Sequence, residues 1–518
     1  MADTATIGDD VLPETAAEQG SVTVCSEESS AANAHWWRIA DLGILGIWIA
    51  LVGFILPYHE KWEDEAQAWL IARDLDLRFI WFHELRYEGS PGLWHTILWI
   101  AQHVFHARYD TLGYIGMAGA TAGVALLIFK APFPRYIRWP LAFTYVLVYQ
   151  YAVIARPYTL LPLLVFAVAI LFKDIKHPER IAAVLILLAN LTLHGTILAG
   201  CFGLAYLIEA YQSRKDLDAA VKRKYWISIG AMALTFLFLF LILKPTPDVE
   251  EFVQKEELAK LPAALQDGMP SLGKKLVSII SGGFLDYLWP SILFLVLSAH
   301  WCFRRKKLLV FVLGVGSMIA VYGFIHGYAH HQGTAFVAAV GVIWIAWPTK
   351  AEAERFNTSE RWEQHGMAAL LVCLIVINIW DSAVVLKREY LYPYSGAPDA
   401  AKYLKSVGAD QKPMFGFLMG VVAVQAYFDD NRFANMPTSY FHHGVPVAGN
   451  NLDVDELHRV WPEYIVAYSH EPELMMQYGI PLLTAEGYQI VHFSDGYYLY
   501  KRGVYERDVY FILRRTGR

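Results

Sequence analysis

The chain has 518 residues, of which 56% are hydrophobic and only 18% charged, with a formal net charge of -6 and a mean hydropathy of +0.32. This balance excludes an ordinary soluble enzyme, and the absence of any sustained basic face excludes nucleic acid as a partner. What remains is an α-helical polytopic membrane protein. Its four cysteines, Cys25, Cys201, Cys302 and Cys373, show no metal-ligand or disulfide spacing and read as small packing residues.

Residues 1–35 are small, polar and acidic, with no Lys or Arg, so they lack the basic start of a signal peptide and read as a disordered cytoplasmic tail. Apolar runs of membrane-crossing length follow at 39–57, 112–129, 140–154, 157–172, 181–194, 196–211, 226–244, 279–302, 308–326, 334–348 and 366–386, which predicts about eleven spans in a membrane domain over 36–387. Basic residues gather in alternate loops, at Lys130/Arg135/Arg138, Lys173/Lys176/Arg180, Arg214/Lys215/Lys222/Arg223/Lys224, Arg304/Arg305/Lys306/Lys307 and Lys350/Arg355/Arg361. The positive-inside rule places those loops, and the amino terminus, in the cytoplasm and the carboxyl end outside.

This parity holds if the apolar stretch Gly92 to Phe105 lies in the membrane interface instead of crossing. Leu93, Trp94, Ile97, Leu98, Ala101, Val104 and Phe105 share one helical face, and His95, Thr96, Gln102, His103 and His106 gather on the other. Residues 58–110 then form a long first external loop with two surface helices separated by the turn Gly89-Ser90-Pro91-Gly92. Trp62 and Trp69 in that loop are placed at headgroup depth. A second external loop, 245–278, carries an acidic helical stretch that reads as a solvated face.

From 388 to 518 the texture changes. GAPDAAKYLKSVG reads as a capped amphipathic helix, and strand-like runs at Lys412–Phe417, Tyr464–Tyr468, Gln489–Phe493 and Tyr497–Lys501 predict a small extracytoplasmic α/β domain.

With this topology, the ionisable residues embedded in apolar sequence fall on one side of the membrane: Glu63, Asp64 and Glu65 after the first span, Arg156 and Tyr158 in a short hairpin, His194 at the end of a span, and His330 and His331 between two others. Charged groups at membrane depth are costly, so their co-location marks a site. Arg156 has almost no loop to carry it into water and needs a carboxylate or phosphate partner, Asp64 being one candidate. His330 and His331 are adjacent and cannot share a helix face, so they are poor paired metal ligands. His95 sits on an amphipathic helix where such residues are commonly structural.

The order of these motifs resembles the GT-C superfamily of glycosyltransferases that use polyprenyl-phosphate sugars, especially the protein O-mannosyltransferase and aminoarabinose transferase branch. The likeness rests on Asp64-Glu65, on YEGSPGLWH from Tyr87 to His95, on ARPY from Ala155 to Tyr158, on HHQG from His330 to Gly333, and on a terminal external domain. It implies that Asp64 or Glu65 acts as general base, that Arg156 and Tyr158 with His330 or His331 bind the donor phosphate, and that Glu63, His95 and His194 contact the acceptor or support the site. The oligosaccharyltransferase members carry a DxD-type pattern and a divalent metal. Here the acids are contiguous, and no cofactor, a divalent metal included, is assigned.

The expectation is an inverting glycosyltransferase in a bacterial inner membrane, facing the periplasm. It would move a sugar from a polyprenyl-phosphate donor to a hydroxyl of a glycan, protein or lipid acceptor. The rival is a transporter or lipid flippase that uses the same charges as a relay. Transporters usually show repeated halves with paired broken helices and ionisable residues at mid-membrane, whereas no repeat is visible here and the charges lie at span ends.

Overall fold

The computed structural model describes residues 16–247, 273–324, 331–443, 453–501 and 505–516, in two units, Met1–Ile47 and Trp48–Arg518. His330 and most of the loop 245–278 lie outside the described residues. Helix α1 runs from Ala16 to Ile55, so the segment expected to be disordered is helical from Ala16 onward. That segment carries few large apolar side chains to pack, but Ala, Glu and Gln retain a good intrinsic preference for helix.

Among the described residues, five helices are long and apolar enough to cross a membrane: His35–Tyr58, Tyr109–Lys130, Leu193–Gln212, Ala219–Ile242 and Thr358–Leu391. A sixth apolar unit, Gly273–Gly283 followed by Leu288–Arg304, is bent by 72° at its break. Three of the remaining runs form shorter apolar helices, Pro157–Leu171, Leu308–Gly323 and Gln332–Ala346. The run at 140–154 is broken by Pro140 and continues as one wide π turn, Val146–Gln150, and the run at 181–194 ends its helix at Ala189. Hydropathy registers apolar character without registering continuity, which is why eleven runs yield fewer unbroken membrane-length helices.

The first loop builds two helices, α2 (Glu63–Asp74) and α3 (Leu93–His103). At 1.5 Å per residue the second is only about half a hydrocarbon core long, too short to cross. Its polar side chains face α2: Gln102 donates to the Trp69 carbonyl at 3.1 Å, and the His103 ring meets the Ala72 carbonyl at 3.0 Å. Val104 and Phe105 are left exposed just beyond it. Trp62 and Trp69, expected at headgroup depth, are instead buried within the protein.

Helix α4 (Leu112–Lys130) presses against the chain that carries Arg156. A Cβ on Gly116 would sit a tight 3.2 Å from Ala155 Cα, and one on Gly123 would sit 2.8 Å from the Leu163 nitrogen, so at Gly123 the approach requires glycine.

In the terminal part, α5 (Ala397–Ser406) starts with Pro398 in its first turn and forms as expected. The sheet has the order β1-β2-β4-β3, with β1 (Met414–Phe417) parallel to β2 (Tyr464–Ser469) and β4 (Tyr505–Arg515) antiparallel to both β2 and β3 (Tyr488–Leu499). The two strands expected at 489–493 and 497–501 are one, and β4 was not foreseen. Gly496 lies within β3, where a Cβ would come 2.5 Å from Ser395 Cα, so glycine marks a close backbone approach there.

Candidate active site

The acids of the first loop occupy the first turn of α2, where the unpaired amides and the helix dipole favour negative charge. Successive residues on a helix point about 100° apart, so Glu63, Asp64 and Glu65 reach three different surroundings. Their fates separate accordingly.

Asp64 meets Arg156, with Oδ2 2.9 Å from Nη1, and both side chains are about one-fifth exposed. The contact is an ion pair without a well-aligned hydrogen bond at Nη1. Arg156 is placed by its own backbone: it precedes Pro157, which has no amide hydrogen to donate and starts a short 3-10 turn over Pro157–Leu160. Its guanidinium lies over the Trp62 and Tyr158 rings, at 5.5 and 5.6 Å from their centroids.

Glu65 is fully buried and committed elsewhere. Its Oε1 accepts from the Ala155 amide at 2.7 Å, and its Oε2 is 2.9 Å from His59 Nε2 and within 3.4 Å of the Trp62 amide. The other ring nitrogen of His59 lies 2.7 Å from Glu389, whose second oxygen accepts from the Tyr149 hydroxyl at 2.6 Å. Burial pushes the His59 imidazole down, but the Glu65 and Glu389 carboxylates override it and raise the pKa to about 10. Burial likewise pushes Glu65 up, and the His59 cation reverses this and holds it below the usual carboxylate range. An imidazolium between two carboxylates thus ties the Arg156 segment and the first loop to the long helix Thr358–Leu391.

Glu63 has the opposite character. Its Oε2 is buried and finds no hydrogen-bond partner among the described residues. Burial, with Asp64 and Asp508 alongside, holds its carboxyl well above the usual range.

Behind Arg156 lies a cluster of rings. The Tyr158 hydroxyl is 3.0 Å from His194 Nδ1, and His194 and His331 approach each other with centroids 4.9 Å apart. Tyr322 stacks on His194 at 4.8 Å, and its hydroxyl meets Thr334 at 2.6 Å. Tyr158, His194 and His331, expected to share a site, are therefore neighbours.

His95 is not part of this cluster. It is buried on α3, 3.8 Å from Glu88, which also accepts from Gln67 at 2.9 Å, and nearby Glu84 lies 3.2 Å from His442. Burial lowers the His95 pKa despite Glu88 and Glu84. Among the described residues, no group of three or more His, Cys, Asp or Glu side chains has the arrangement to hold a metal ion.

The terminal domain closes over these residues. Trp62 packs edge-on against Tyr498 at 4.6 Å, and Gln67 exchanges hydrogen bonds with the Phe441 backbone. Next to Arg156 is a narrow cleft lined by residues that include Trp62, Tyr151, Tyr158, Tyr394 and Tyr500, with a volume of about 10 Å³, room for about one water. A larger cavity of about 230 Å³ adjoins it and shares Tyr145, Gln150 and Tyr500.

No protein-family model and no curated protein matches the chain in sequence. Solved structures that match in three dimensions include two of ArnT. ArnT from Cupriavidus metallidurans bound to undecaprenyl phosphate has a TM-score of 0.51 at 11% identity, over 90% of this chain and 97% of that one. The apo state of the same protein gives 0.50 at 11% identity, over 93% and 98%. At this identity the likeness shows a shared fold. In this fold the first-loop acids, the Arg156 hairpin and the terminal domain meet at one place.

Sequence reasoning missed His59, Glu389, Tyr149, Tyr145, Tyr500 and Lys501. His59 adjoins the acidic triplet and could have been noticed, but Glu389 is 330 positions away and no spacing rule connects the two.

Proposed function

We propose that the protein is an integral-membrane glycosyltransferase that moves a sugar from a polyprenyl-phosphate donor to an acceptor hydroxyl. The pairing of Asp64 with Arg156 at the mouth of a cleft backed by Tyr158, His194 and His331 carries this reading. A carboxylate and a guanidinium in contact supply the base and the phosphate partner that such a transfer needs. The neighbour structure that holds undecaprenyl phosphate supports the donor class. Alternate basic loops favour an extracytoplasmic reaction face, with the chemistry at the periplasmic surface of an inner membrane.

In the closed cleft Arg156 is occupied by Asp64. An entering donor phosphate competes for the guanidinium, and its arrival releases the Asp64 carboxylate to face the acceptor. Asp64 then takes the acceptor's hydroxyl proton as the oxygen bonds to the anomeric carbon from the side opposite the phosphate. The bond from that carbon to the phosphate oxygen breaks, and polyprenyl phosphate leaves with one more negative charge, which Arg156 offsets. The configuration at the anomeric carbon inverts. Glu63 is buried with its carboxyl pKa raised, and Glu65 is held by His59 and the Ala155 amide, which leaves Asp64 as the carboxylate in contact with Arg156.

The test is transfer of a labelled sugar from synthetic polyprenyl-phosphate donors by the purified protein in detergent. Transfer that vanishes in Asp64→Asn supports the reading. Lipid movement seen only across sealed vesicles, with no transfer, would replace it by the transporter reading.

A further inference from the structure

Like an ordinary ligand pocket, the 230 Å³ cavity beside the Arg156 cleft presents mostly apolar surface with placed polar groups, here supplied by residues that carry both. Eight of its ten lining residues carry a hydrogen-bonding side chain, and the other two are Gly282 and Gly333. No aliphatic residue is among them, and tyrosine rings beside hydrogen-bonding groups suit a sugar better than a polyprenyl tail.

Among the described residues, the charged groups that line it are Asp286 and Lys501, and they neutralise each other. Lys501 Nζ lies 3.3 Å from Asp286 Oδ1 and donates to the Gly282 carbonyl at 2.9 Å, with its cation 5.5 Å from the Tyr145 ring. Both side chains are largely buried, 13% exposed for Lys501 and 4% for Asp286. Asp286 sits in the break of the bent helix pair with φ of 60°, a left-handed conformation that a non-glycine residue holds at some cost. Lys501 arrives from the terminal domain, just after β3. The remaining polar groups, among them Gln150, Ser278, Gln332 and Tyr500, are neutral donors and acceptors.

We infer that this cavity receives the sugar of the lipid-linked donor and selects an uncharged, hydroxyl-bearing monosaccharide. This rests on the transferase reading above: a sugar joined to a phosphate at Arg156 must occupy space continuous with that cleft, and the two spaces share Tyr145, Gln150 and Tyr500. An amino sugar would need a carboxylate not already matched by a cation, and a uronic acid would need a cation not already matched by a carboxylate. The ion pair between Asp286 and Lys501 uses up both, and desolvating a second charge beside it is costly.

The experiment measures binding to the purified full-length protein of polyprenyl phosphate and of three polyprenyl-phosphate sugars: a neutral hexose, an amino sugar and a uronic acid. The neutral donor is expected to bind best. Lys501→Gln should shift the ratio toward the amino sugar, and Asp286→Asn toward the uronic acid, by about ten-fold or more each. The double variant should restore the neutral order. If polyprenyl phosphate itself does not bind, the transferase reading falls and this inference falls with it. If the lipid phosphate binds but the wild-type protein prefers a charged sugar, or the single variants leave the ratios unmoved, the inference alone is overturned. The wild-type series decides the matter even if a variant fails to fold.

Discussion

Asp64 and Arg156 come from elements far apart in the chain and meet at 2.9 Å, yet the contact lacks a well-aligned hydrogen bond at Nη1. Such a pair is easily exchanged for another partner of the same charge. Replacing Asp64 by Asn should therefore lower kcat by about 10²- to 10⁴-fold, the usual worth of a general base, while donor binding holds or tightens because Arg156 loses its competitor. Steady-state kinetics with varied donor would show a fall in kcat without a rise in KM. A rise in KM at constant kcat would remove Asp64 from the chemistry.

Arg156→Lys keeps the charge and loses the planar fork. Donor KM should rise by roughly 10- to 100-fold, the equivalent of one hydrogen bond to a charged group. Titration of donor at saturating acceptor measures this, and an unchanged KM would place the phosphate elsewhere.

Glu65→Gln should injure the fold before the reaction. It removes one of the two carboxylates about the buried His59 cation, which keeps Glu389 at 2.7 Å, and the loss of a hydrogen bond to a charged group costs about 1.5–3 kcal/mol. Denaturant unfolding in detergent should show that loss. A normally stable Glu65→Gln protein with kcat collapsed would make Glu65 the base instead.

The same pair sets a pH window for stability. His59 is raised from 6.5 to about 10 in the folded state, so its contribution is complete below 6.5 and disappears as pH climbs through about 10. Glu65 is depressed, so its contribution is present above the ordinary carboxylate value and disappears as pH falls through its lowered one. Thermal unfolding against pH should show both limbs, and His59→Gln should abolish the alkaline one.

Glu63 behaves in reverse. Its proton is retained on folding, so its effect on stability worsens as pH rises above the ordinary carboxylate value toward its raised one. Glu63→Gln, close in shape to the protonated acid, should keep most activity at neutral pH and flatten that decline. A loss of activity as large as that of Asp64→Asn would show that Glu63 takes part as an ion.

What the sequence disclosed follows from what a linear pattern can carry. Asp64 and Arg156 were legible because ionisable groups at the ends of apolar runs are rare and costly, and α2, α3 and α5 were legible from periodicity and punctuation. The partnership of His59 with Glu389 was not, because a buried ion pair between distant segments leaves no local trace. The extended β3 was split in two because Gly496 marks a close backbone approach as readily as a turn. Helix α1 was begun too late because polarity was taken as disorder.

The position of Tyr500 and Lys501 has a consequence for how this protein can change. The segment that follows β3 is a wall of the chamber in which the sugar would sit, and so the terminal domain cannot be exchanged like a detachable adaptor. A chimera that grafts a foreign domain after residue 388 would arrive with someone else's lock on its own door, and donor choice would travel with the graft.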